Sequence, residues 1–116
     1  MSKKFGFYSD KSPPSIPFES HLTGLQQQTK ALLLDLRIFV KSLGDDIIEE
    51  VRPHRIVYAK SLTFRTFLDV QPRNGYIIIS MRKGRIDSSN ITQTIKDTDE
   101  LNGIKHQITE VYKMVK

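Results

Sequence analysis

Asn74-Gly75 lies between two runs in which apolar side chains recur at every second position, Phe64–Gln71 before it and Tyr76–Lys83 after it. A Pro-Arg-Asn-Gly step in that setting closes a hairpin, because asparagine and glycine accept the positive φ that a two-residue turn demands. The middle of the chain is thereby committed to an antiparallel sheet, and the remainder must pack on it. A third period-two run, Arg55–Lys60, predicts a strand ahead of the hairpin, and a weaker strand is expected at Asn90–Ile95.

On either side the period lengthens to that of a helix. Thr23 with Gln26 has the form of a capping box. Leu25, Leu32, Leu36, Phe39, Val40 and Leu43 follow at helical spacing, and Gly44 reads as a left-handed stop. A helix over Gly24–Leu43 is predicted. Asp97 and Glu100 repeat the capping pattern with aspartate as the acceptor, ahead of a stripe of Leu101, Ile104, Ile108, Val111 and Val115. The acidic Asp45–Val51 stretch reads as a solvated connector. The expected fold is α+β: an antiparallel meander of three to four strands, with the N-terminal and C-terminal helices on one face.

Residues 1–15 show neither period, and Pro13-Pro14 opposes helix, so they read as a flexible arm leading into a single domain over 16–116. Ile16 and Phe18 are expected to pack against the start of the first helix. The 116-residue chain is long enough to bury a core without metal or disulfide support. It has no cysteine, and its three histidines lie far apart, so no zinc site or cofactor is expected. No apolar run approaches the roughly 20 residues of a membrane span. No apolar stretch follows the N-terminal lysines, and a cytoplasmic protein without a membrane span is expected.

Charge is uneven along the chain. Residues 52–85 carry eight Lys or Arg against the single acid Asp69, a net of +7 in a chain whose total is +5. That asymmetry favours a polyanionic partner, or else forms a solvated rim. Strict alternation turns Phe64, Thr66, Leu68 and Val70 towards the helices, and Arg65, Phe67, Asp69 and Gln71 away from them. With Val57 and Ala59 also inward, the outer face is expected to show Tyr58, Lys60, Arg65, Phe67, Tyr76 and Arg82 near Ile78. Rings of this kind stack on unpaired bases while Arg and Lys neutralise phosphates. The candidate nucleic-acid residues are therefore Lys60, Arg65, Arg73, Arg82, Lys83 and Arg85 for phosphates, with Tyr58, Phe67 and Tyr76 for stacking. The alternative is that this face is covered, by the arm, a second copy or a protein partner, and that Phe67, Tyr76 and Ile78 carry the contact.

Catalytic patterns are missing. A metal-dependent nuclease needs a carboxylate on the strand opposite Asp69, where the chain reads Ser80-Met81-Arg82. No glycine-rich phosphate loop and no nucleophile elbow occurs. His54 and His106 read as surface residues. A non-catalytic binding domain is the expectation.

Three stretches, "IPFESHL" (Ile16–Leu22), "ALLLDLRIFVKSLGDDIIEEV" (Ala31–Val51) and "FRTFLDVQPRNGYIIISMRKG" (Phe64–Gly84), resemble a prokaryotic domain family sometimes labelled "predicted transport protein". The resemblance runs from Ile16 onward and implies a shared fold. Members occur alone or attached to nuclease-like proteins, which adds some weight to a nucleic-acid partner and carries over no catalytic residue. Strand one, "RIVYAKS", departs from the family's Tyr-Ile-Ala-Tyr-Lys type of run, and the segment before the last helix is short. Nothing in the chain supports transport across a membrane.

Overall fold

The structure is a computed structural model that describes residues 16–82 and 90–115. Five strands form one antiparallel sheet in sequence order: β1 (Ile47–Val51), β2 (Ile56–Lys60), β3 (Arg65–Arg73), β4 (Tyr76–Arg82) and β5 (Asn90–Ile95). The helices α1 (Gln27–Lys41) and α2 (Thr98–Met114) precede and follow it. Leu32, Leu33, Leu36 and Val40 of α1 share one buried cluster with Leu101, Ile104, Ile108 and Val111 of α2 and with Ile77, Ile79 and Met81 of β4. Both helices therefore cover the same face. The fold is α+β, with five strands where three to four were expected.

The extra strand is β1, read from sequence as a connector. Ile-Ile-Glu-Glu-Val has no clean alternation, yet it pairs along its whole length with β2, from Ile47 opposite Lys60 to Val51 opposite Ile56. Glu49 can point under the helices because partners wait there. Its carboxylate takes paired hydrogen bonds from Arg37 at 2.9 and 2.9 Å and one from the Tyr58 hydroxyl at 2.8 Å. Lys41 lies 3.5 Å away. The Arg37 guanidinium also sits 4.0 Å above the Phe18 ring, so one residue ties α1 to β1 and to the lead-in turn. Phe18 is buried in a short 3-10 turn (Phe18–His21), and its ring meets Arg37 in the second half of α1, where contact with the helix start was expected. The proposed arm, residues 1–15, lies outside the described residues.

Helix α1 begins at Gln27, and the Thr23–Gln26 capping box does not form. Gly24 has φ +83°, which places Thr23 and Gly24 in a turn before the helix. The hairpin tip does the capping. Asn74 Oδ1 accepts from the Gln26 N–H at 3.1 Å, and the Gly75 N–H donates to Thr29 Oγ1 at 3.2 Å. Only Gly75 of this turn has positive φ, at +101°. Helix α2 starts as expected: Asp97 Oδ1 accepts from the Glu100 N–H at 2.9 Å, and Glu100 Oε1 accepts from the Lys96 N–H at 2.6 Å.

Gly44 is not a left-handed cap, since Gly24 and Gly75 are the described glycines with positive φ. Space is the reason for it. A Cβ at this position would lie 2.2 Å from Tyr112 Oη and 2.8 Å from Asp46 Oδ1. The Tyr112 hydroxyl donates to that aspartate, while its ring meets the edge of Phe67 at 5.4 Å and lies 4.3 Å below Lys60 Nζ. Gly44→Ala is expected to destabilise the fold by about 1–3 kcal/mol through overpacking. Thermal melts check it: adding Tyr112→Phe, which removes the clashing oxygen, should return part of the loss.

Candidate nucleic-acid interface

The sheet face away from the helices is built by cross-strand rows. Arg73 stands opposite Tyr76, and Gln71, Ile78 and Thr94 form the next row. Val57, Asp69, Ser80 and Thr92 form the row after that. Arg82 is exposed at the far end of β4, opposite Asn90. Tyr76 and Arg82 are six residues apart on one strand and share a face, so they are about 20 Å from each other. Among the described residues no helix covers these rows.

Two of the proposed stacking residues are not there. Tyr58 is 1% exposed and Phe67 is fully buried, both in the core on the helix side. For Phe67 the cause is a β-bulge. Tyr58 pairs with Leu68, but Ala59 pairs with Thr66, which leaves Phe67 as an extra residue on β3. A bulge resets the side-chain alternation, so Phe67 and Leu68 both reach the core. On β2 the assignment is inverted: Ile56 and Tyr58 join the core cluster, whereas Val57 and Ala59 share the outer rows. Lys60 follows Tyr58 to the helix side and lies over Tyr112.

The basic residues divide accordingly. Arg65 is exposed beside the β2–β3 loop, opposite Lys60. Arg73 is half-buried and donates to Gln71 Oε1 at 2.9 Å and to the Pro72 carbonyl at 3.1 Å. Lys83 and Arg85 lie outside the described residues. What the structure brings together from the sequence-derived set is Arg73, Tyr76 and Arg82. Arg55, omitted from that set, joins them: its Nη1 bonds Asp69 Oδ2 at 2.8 Å in the middle of the face. The other Asp69 oxygen is buried without a hydrogen-bond partner. Ser80 and Thr92 hydroxyls lie 3.2 Å apart in the same row. The sequence reading hid Arg55, because with Val57 turned inward period two places Arg55 inward as well; only the inverted phase of β2 brings it to this face.

Chemistry is sparse on this face. Among the described residues, no three His, Asp or Glu side chains come together to hold a metal ion, and no helix is long and apolar enough to cross a membrane. His54 and His106 are exposed, as read from sequence. The ionisable groups with displaced titration lie under the helices instead. Burial pushes the Tyr58 hydroxyl well above its ordinary range, and its hydrogen bond to Glu49 pushes it further. No family model, curated protein or solved structure matches the chain.

Proposed function

We propose that the chain is a non-catalytic binding domain that holds nucleic acid on the sheet face opposite its helices. The observation that carries this reading is the alignment of Arg73 and Tyr76 at one end of β4 with exposed Arg82 at the other. Two guanidinium groups flank a strip bearing one half-exposed aromatic ring and the small polar residues Ser80, Thr92 and Thr94. An unpaired strand laid along it would meet charge at both ends and a stacking surface at Tyr76. Arg55 counts for less, because Asp69 neutralises it.

Titration of labelled single- and double-stranded oligonucleotides at two salt concentrations tests the proposal. Binding should weaken with salt at a logarithmic slope of about −0.7 to −0.9 per neutralised phosphate. Arg73→Ala and Arg82→Ala should each flatten that slope by about one such unit. Tyr76→Ala should weaken single-strand binding by about 1–3 kcal/mol. No binding at low salt with tens of micromolar protein rejects nucleic acid as the partner.

A further inference from the structure

The loop between β2 and β3 carries an anomaly that the outer sheet face does not explain. Leu62 is 88% exposed and Phe64 is 75% exposed, and Phe64 has φ +54°. It is the one non-glycine residue with positive φ among those described. A bulky side chain is a poor choice for that conformation, which glycine or asparagine adopts at less cost. The backbone is held there by the Phe64 N–H donating to the Lys60 carbonyl at 2.7 Å and the Ser61 N–H donating to the Asp46 carbonyl at 2.7 Å. A strained backbone that presents an apolar ring to water points to a contact made by that ring.

The same chain carries a matching surface. On α1, Leu34 is 38% exposed and Ile38 is 68% exposed, and Asp35 is exposed beside them. At 100° per residue these three side chains fall within an arc of about 100°. Their own copy leaves them uncovered. Among the described residues Asp35 makes no ion pair and neither does Arg65 at the loop, whereas Lys60 is engaged over Tyr112. The loop offers two apolar side chains with Arg65 beside them, and the helix face offers two apolar side chains with Asp35 at one edge and Lys30 and Lys41 at the other.

We infer that the Leu62/Phe64 loop docks on the Leu34/Ile38 face of a second copy of this chain, with Arg65 meeting Asp35. The contact is small. Two apolar side chains against two fall below the about 1,200 Å² of a stable interface, so the association is reversible and weak. It is independent of nucleic-acid binding, since it uses neither Arg73, Tyr76 nor Arg82.

Sedimentation velocity of the full chain, from tens of micromolar to the millimolar range, tests it. The sedimentation coefficient should rise with concentration for the wild type and stay flat for Leu62→Ser and for Phe64→Asn. Phe64→Asn relieves the backbone, so its melting temperature should equal or exceed that of the wild type, which separates lost contact from lost fold. Asp35→Arg or Arg65→Asp alone should weaken association by about tenfold or more, and the two together should regain it. A wild type that stays monomeric, loop variants that associate like the wild type, or a charge exchange that regains nothing overturns the inference.

Discussion

Phe67→Ala is expected to lower the free energy of unfolding by about 3–5 kcal/mol, the range for truncating a buried aromatic ring. The ring is fully buried, and its edge-on contact with Tyr112 would be lost with it. Tyr112 in turn anchors Asp46 and carries Lys60, so relaxation around the cavity is restricted to groups already held in place. Urea unfolding of the two proteins gives the answer, with the slope unchanged if both unfold in two states. Phe67→Asp should not fold, because a lone carboxylate would be placed in the core without a partner. A soluble, folded Phe67→Asp protein would place Phe67 on the outer face, where strict alternation puts it. Self-association through Phe67 is excluded by its burial.

Phe67 also shows where the sequence stops being readable. The hairpin at Asn74-Gly75, the Asp97 cap, the inward set Ile77, Ile79 and Met81, and the bounds of β5 all follow from local rules of turn, cap and period. Those rules act within a few residues, and the chain announces them. A bulge is different: it is a mismatch between β2 and β3, and neither strand records it alone. One extra residue moved Phe67 into the core, and the inverted phase of β2 took Tyr58 and Lys60 to the helix side. The candidate site therefore kept Arg73, Tyr76 and Arg82, whose strand positions lie beyond the bulge, and lost the stacking residues before it. Gly44 was misread for a similar reason. Its meaning lies in Tyr112, 68 positions away in sequence, and not in its own backbone angle.

Glu49→Gln is expected to destabilise the protein by about 3 kcal/mol at neutral pH, the lower end for breaking a buried ion pair. The lower end applies because Arg37 and Lys41 keep 28% and 48% of their side-chain surface exposed, while Glu49 keeps 9%. The amide preserves shape and its oxygen can still accept from Tyr58, but its NH2 group cannot accept from Arg37, so the loss combines the charge with one Arg37 hydrogen bond. Burial alone would raise the Glu49 pKa, but the Arg37 and Tyr58 hydrogen bonds and the nearby positive charges outweigh it and hold the carboxyl below its ordinary value of 4.5. A carboxylate with a depressed folded-state pKa binds its proton more weakly folded than unfolded. Its contribution is therefore complete above the ordinary carboxylate range and is lost as pH falls through the lower, folded value. Arg37 is raised from an already high value, chiefly by its hydrogen bond to Glu49, and does not titrate in this window. The stability difference between wild type and Glu49→Gln, followed from neutral pH downwards, should stay flat to about pH 5 and then shrink. Other carboxylates titrate in both proteins and cancel in the difference. A difference that stays constant into acid would mean that the Glu49 charge contributes nothing and that the variant is destabilised by packing alone.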